Sequence, residues 1–168
     1  MTGPKAIVVY ESHWGNTAAV ARAIAEGIGS GARALSTAEA ASVDLADVDL
    51  LVAGAPLLGF SLPTEMMLKS MAANASKDPT PPDLSHPSMR AWLDGLPKGT
   101  ARVASFETRI WWSPGSAAKA ILKKLEALGY RPTAKPERFV VKGKYGPLRD
   151  GELERAQAWG AQLAQAVA

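Results

Sequence analysis

Cysteine is absent from the 168 residues, and histidine occurs only as His13 and His86. Without thiols there are no disulfides, thiolate metal sites, iron–sulfur ligation or cysteine nucleophile. Two histidines do not make a His-rich metal site, so no metal ligands are nominated; no catalytic residue is nominated either. Long apolar runs are missing as well. The first, Ala6–Tyr10, is too short for a signal h-region, and no run reaches the about 20 apolar residues of a membrane span. The expectation is a soluble, cytoplasmic protein. No Lys/Arg run exceeds two residues, and 19 basic against 16 acidic side chains leave a net charge of +3. That balance admits acidic partners and carries no nucleic-acid footprint. Internal repeats are absent, and the one linker-like stretch is Ala75–Ser88, with Pro79, Pro81, Pro82 and Pro87. It is too short to separate two domains, so residues 1–168 read as one domain.

What is present alternates. Lys5–Tyr10, with Ile7, Val8 and Val9 at its centre, reads as a strand buried on both faces. Asn16–Ile28 has helical spacing and ends at Gly29 and Gly31. Arg33–Ser36 is a weak strand and Leu50–Ala55 a buried one, followed by a helix over Thr64–Asn74 with Thr64 as its cap. Ser88–Leu96 reads as a short helix, Thr100–Glu107 as a strand, and Ser116–Leu128 as a helix striped by Ala118, Ile121, Leu122 and Leu125. A strand at Phe139–Lys142 and a helix over Glu152–Val167, capped by Asp150, complete the chain. Five strands alternating with helices predict a parallel sheet covered on both faces. In such sheets ligands bind beyond the carboxyl ends of the strands, which directs attention to three loops.

The first loop, Glu11 to Thr17, joins a buried strand to a helix start. Ser12, Gly15, Asn16 and Thr17 make an anion cradle or, equally, a polar turn with a helix cap. No lysine lies in it, G-x-x-x-x-G-K-S/T is absent, and so is G-x-G-x-x-G. Nucleoside triphosphate and dinucleotide sites of those types are disfavoured. The second loop, Gly54 to Pro63, is apolar. The third, Glu107 to Gly115, carries the adjacent Trp111 and Trp112, which cover something flat or pack on the domain's own end or on a neighbouring subunit. Together the loops suit a planar aromatic ligand bearing a terminal phosphate.

Ser12-His13-Trp14-Gly15-Asn16-Thr17, between an Ile-Val-Val-Tyr strand and an amphipathic helix, resembles the FMN phosphate loop of flavodoxins, T/S-x-T-G-x-T. Val52-Ala53-Gly54-Ala55-Pro56 and Ser105-Phe106-Glu107-Thr108-Arg109 resemble the strands leading to the two flavin-facing loops. Phe139–Lys142, Gly146-Pro147-Leu148 and Gly151–Ala156 are similar to the C-terminal signature F-x-V…G-P-L-x-x-G-E-L-x-R-A of a bacterial flavodoxin-like family. The resemblance covers nearly the whole chain. It implies a three-layer α/β sandwich, a five-stranded parallel sheet of order 2-1-3-4-5, and non-covalent FMN.

Carried onto this sequence, the resemblance implies that Ser12, His13, Trp14, Gly15, Asn16 and Thr17 hold the phosphate. Pro56, Leu57, Leu58, Gly59 and Phe60 would line one face of the ring. Thr108, Arg109, Ile110, Trp111, Trp112 and Gly115 would line the other. Arg109 reads as a cation that raises the flavin potential. His13 reads as a solvent-facing loop residue or as a phosphate partner, and His86 as surface. Arg138, Lys142, Lys144 and Arg149 read as a solvated face or as a steering patch for an acidic partner. Three functions fit. One is an electron carrier between redox partner proteins, a flavin reductase or an acceptor enzyme. Another is an FMN-dependent quinone- or protoporphyrinogen-type reductase, with Ala75–Ser88 as a wall beside the ring. The third is a flavodoxin-like module without tight FMN. The expected assembly is a monomer or weak homodimer.

Overall fold

The computed structural model describes residues 3–168. Its elements are β1 (Ala6–Tyr10), α1 (Asn16–Ile28), β2 (Ala32–Ser36), α2 (Thr37–Ala40), β3 (Leu50–Pro56), α3 (Glu65–Ala73) and a 3-10 turn (Ala75–Lys77). There follow α4 (Met89–Asp94), β4 (Arg102–Ile110), α5 (Ala117–Ala127), β5 (Arg131–Pro132), β6 (Glu137–Val141) and α6 (Glu152–Ala166). All strand pairings are parallel, in the order β2-β1-β3-β4. Beyond β4 the fifth position is split. β5 pairs with Arg102 and Val103 at the start of β4, and β6 with Phe106 to Ile110 at its end. The predicted order therefore holds, with the fifth strand interrupted at 133–136, a stretch that ends in Pro136. Proline has no N–H to give to a ladder.

Strand alternation divides the core into two halves. Ile7, Val9, Leu51, Ala53 and Val103 face α2, α4 and α5, where Met89, Trp92, Leu93, Ile121 and Leu125 close over them. Ala6, Val8, Leu50, Val52, Ala104 and Phe106 face α1 and α6, against Val20, Ile24, Trp159 and Leu163. Both faces of β1 and β3 are thus apolar, which is why their sequences are continuous hydrophobic runs. β4 extends three residues past its expected end at Glu107, because Glu107, Thr108 and Arg109 are buried and find partners inside the fold. The cap of α6 differs from expectation. Gly151, in the left-handed conformation at φ 85°, precedes the helix, and no side chain caps it. Glu152 instead turns back to accept from the Val140 N–H at 2.7 Å, tying the helix to β6.

No described helix is long and apolar enough to cross a membrane. The carboxyl ends of β1, β3, β4 and β6 bring the three loops to one edge of the sheet.

Candidate functional site

The β1–α1 loop is fixed by its side chains. Glu11 is fully buried, and its Oε1 accepts from the Met89 N–H at 2.7 Å. Its Oε2 lies 2.7 Å from His13 Nε2. The other ring nitrogen, His13 Nδ1, lies 3.0 Å from the Asp83 carbonyl oxygen. A carbonyl only accepts, so Nδ1 donates, and a ring that also meets a carboxylate at Nε2 is the imidazolium. Burial lowers the His13 pKa. The Glu11 bond, the Asp83 carbonyl and the charges of both carboxylates outweigh it, leaving the pKa above its ordinary value. His13 is therefore an inward-facing half of a buried ion pair, not a solvent-facing residue. The overturning partner, Glu11, stands two residues away on the strand exit.

The proline-rich segment 75–88 is a strap laid over this loop. The Ser12 N–H donates to His86 Nε2 at 3.1 Å, so His86 holds that nitrogen unprotonated. Its ring stacks on His13 at 5.7 Å between centroids. Burial, followed by the charge of His13, pushes the His86 pKa down. The Asp83 N–H donates to the His13 carbonyl, and the Trp14 indole N–H to the Thr80 carbonyl at 2.8 Å. Tyr145 O–H donates to Asp78 Oδ1 at 2.6 Å. His86 is thus not a bland surface residue. The strap's bonds to Ser12, His13, Trp14 and Tyr145 lie on the side of the first loop; at its end the Pro87 carbonyl accepts from the Thr37 hydroxyl and Ser88 Oγ donates to Glu65, each at 2.6 Å. None of them joins it directly to the second or third loop.

Other loop side chains are committed too. Thr17 Oγ1 and Thr108 Oγ1 share a hydrogen bond of 2.7 Å, and Asn16 Nδ2 donates to the Tyr145 carbonyl at 3.1 Å. Ser12 Oγ accepts from the Gly15 N–H at 3.2 Å. What remains for an anion is backbone. The first helical bond of α1 runs from the Ala19 N–H to the Gly15 carbonyl, so the N–H groups of Asn16, Thr17 and Ala18 have no acceptor within the helix. No side chain caps α1 and its first turn holds no acidic residue. Gly15 takes φ 90°, a left-handed turn that only glycine adopts without strain. Lys144 Nζ lies 5.5 Å from the Trp14 ring centroid, which adds a cation to the same corner.

The remaining nominated residues split into wall and rim. Pro56, Leu57 and Leu58 on one side and Thr108, Arg109 and Ile110 on the other border, with Ser12 to Trp14, Asn16, Thr17, Val141 and Lys144, a cavity of about 90 Å³. Phe60, Trp111 and Trp112 stand outside it, 73%, 62% and 66% exposed. The second and third loops approach each other, since the Ser116 N–H, at the end of the third, donates to the Phe60 carbonyl at 3.2 Å. Gly115, at φ 91°, would drive a Cβ to 2.0 Å from that same oxygen. Arg109 is not a free cation. Its Nη1 lies 2.8 Å from Glu107 Oε2, and both side chains are nearly buried. Strand alternation places Glu107 beside it, so the field at the loop is that of a dipole. Sequence reasoning passed over Glu11, Asp83, His86, Val141 and Lys144 as parts of this corner. The signal available was that the strap holds one of the two histidines.

No protein-family profile and no curated protein sequence matches this chain. Solved structures do. A flavodoxin from the domain Archaea is 21% identical, with 96% of this chain and 97% of that chain covered and a TM-score of 0.61. Oxidised flavodoxin 2 from Bacillus cereus is 13% identical, with 97% of each chain covered and a TM-score of 0.65. Rubredoxin:oxygen oxidoreductase from Desulfovibrio gigas is 16% identical over 99% of this chain and 37% of that one, with a TM-score of 0.59. At these identities the likeness shows the fold. The chain is an α/β protein of flavodoxin-like fold, with the five-position sheet order 2-1-3-4-5.

Proposed function

We propose that the chain binds FMN non-covalently at the carboxyl edge of its sheet and serves as an electron-transfer protein. The observation that carries this reading is the β1–α1 loop: its side chains are bonded to protein partners while the uncapped start of α1 is left for an anion. The group suits the residues present. The N–H groups of Asn16 to Ala18, the Ser12 hydroxyl and Lys144 would hold the phosphate. Pro56, Leu57, Leu58, Thr108 and Ile110 offer the apolar walls a tricyclic ring requires. The enclosed 90 Å³ takes an anion and falls below the about 300–1,000 Å³ of cofactor-sized pockets. That leaves the rim of Phe60, Trp111 and Trp112 as the surface for the ring, and aromatic faces of that kind gain from being covered.

When bound, FMN supplies reversible one- and two-electron chemistry; the protein sets its affinity and potential. The chain's own part is to hold the phosphate, orient the ring and keep water from one side of it. Redox partners, a flavin reductase or an acceptor enzyme, would reach the exposed rim. The test is an absorption spectrum after incubation with FMN and gel filtration. Retained flavin bands are expected, with weaker retention in Trp111→Ala and Trp112→Ala. A folded but colourless protein would overturn the reading and leave a flavodoxin-like module without flavin.

A further inference from the structure

Arg109 also borders a second cleft, on the other face of β4. Thr108 reaches Thr17 on the α1 face, whereas Ser105, Glu107 and Arg109 stand on the α5 face. Both internal bonds of the guanidinium run through Nη1, to Glu107 Oε2 at 2.8 Å and to the Gly115 carbonyl at 2.9 Å. The Nε–H is buried and has no acceptor among the described residues. Nη2, which shares an edge with Nε–H, makes no bond to them either. That edge is the fork that takes an oxyanion with two parallel hydrogen bonds. The side chain is only 6% exposed, and native proteins leave few such donors unmet.

The cleft, of about 260 Å³, lies between the start of α5 and the edge strand β6, and Lys119, Lys135 and Arg138 line it with Arg109. These three side chains are exposed and form no ion pair among the described residues. The two carboxylates of the cleft are already engaged. Glu107 Oε1 accepts from Ser116 Oγ at 2.6 Å and from the Ala118 N–H at 2.9 Å, and Glu137 Oε1 pairs with Arg155 at 3.2 Å. Three cations without an ion pair, and the open edge of the paired Arg109, therefore line a space in which no carboxylate is unpaired. α5, 11 residues long, also starts there, adding the positive end of its dipole.

We propose that this cleft binds an oxyanion, a phosphate or carboxylate group of a small molecule, received side-on by the Nε–Nη2 edge of Arg109 and surrounded by Arg138, Lys119 and Lys135. Its volume suits a compact anion, and its place on the α5 face makes it separate from the phosphate corner at α1. Binding there is independent of whether flavin binds.

The test follows the arginine Nε–H signals of the ¹⁵N-labelled full chain by NMR. Sodium phosphate and sodium succinate are titrated separately, at ionic strength held constant with chloride. A saturable shift of the Arg109 Nε–H is expected with at least one of them, and which one responds distinguishes tetrahedral from planar anions. Arg138→Ala, an exposed position that leaves the buried pair intact, should weaken the response by about tenfold, the size of one lost charge-assisted hydrogen bond. Lys98→Ala, at the opposite edge of the sheet, should leave it unchanged. No saturable shift with either anion would overturn the proposal, as would equal weakening in both variants, which marks bulk screening. A shift with poly-glutamate alone would make the cleft a protein contact and overturn it equally.

Discussion

At the exit of β1, His13 and His86 stack on each other and need opposite protonation states. His13 donates from both nitrogens, to Glu11 and to the Asp83 carbonyl, and its pKa lies above the ordinary 6.5. Its contribution to stability is complete below that value and is lost as pH rises through the raised one. His86 accepts from the Ser12 N–H, and its pKa lies below the ordinary 6.5. Its contribution is complete above that value and is lost as pH falls through the lowered one. Stability should therefore decline on both sides of about pH 6.5. Urea midpoints measured across pH in wild type, His86→Ala and His13→Gln check this. His86→Ala should flatten the acid limb and His13→Gln the alkaline limb. The carboxyl groups of Asp83, held down by Ser85, and of Glu152, held down by Arg155, titrate further into acid. An unchanged decline just below pH 6.5 in His86→Ala, ahead of the carboxylate range, would remove this histidine from the account.

Between elements, α1 and α6 approach each other closely at two glycines. A Cβ at Gly27 would come within 1.9 Å of the Gln157 carbonyl oxygen, and one at Gly160 within 2.2 Å of the Ile24 carbonyl oxygen. Both obstacles are backbone, so the helices would have to part. Gly27→Ala and Gly160→Ala should each cost about 1–3 kcal/mol, read as a Tm lower by roughly 3–10 °C. Gly143→Ala, where a Cβ meets nothing within 4 Å, serves as the neutral control. At the start of α5, Ser116 Oγ accepts from the Lys119 N–H and donates to Glu107. Ser116→Ala should cost about 1–2 kcal/mol in urea unfolding. These elements also mark what the sequence makes legible. β1, β3, α1 and α5 carry periods long enough to read, and the three loops follow from them. α2, a four-residue helix held by the Ser36–Glu39 capping box, and β5, a two-residue strand, are too short to show a period. In the candidate site the turn into α1 was legible from Ser12, Gly15 and Thr17. The inward turn of His13 and the docking of His86 were not, because they depend on a strap 70 residues or more away along the chain.

Across the whole molecule, a net charge of +3 meets an edge that exposes aromatic surface. Phe60, Trp111 and Trp112 stand at the ring loops, and the exposed Lys142 and Arg149 flank β6 at the same end of the sheet. Lys142 is only loosely opposed by Asp150, at 3.8 Å. Such an arrangement would steer an acidic partner towards the rim and leave the final contact to the aromatic side chains. If the chain carries FMN as proposed, its reduction by an electron donor with an acidic surface should be fastest in dilute buffer. The rate should fall by about an order of magnitude as the screening length shrinks from about 30 Å at 0.01 M to about 8 Å at 0.15 M salt. Lys142→Glu with Arg149→Glu should remove most of that dependence while leaving the amount of bound flavin unchanged, since neither side chain borders the 90 Å³ cavity. Stopped-flow measurement of flavin bleaching at several salt concentrations reads both effects. A rate indifferent to salt in the unmodified chain would mean that the basic edge plays no part in docking and that the aromatic rim alone selects the partner.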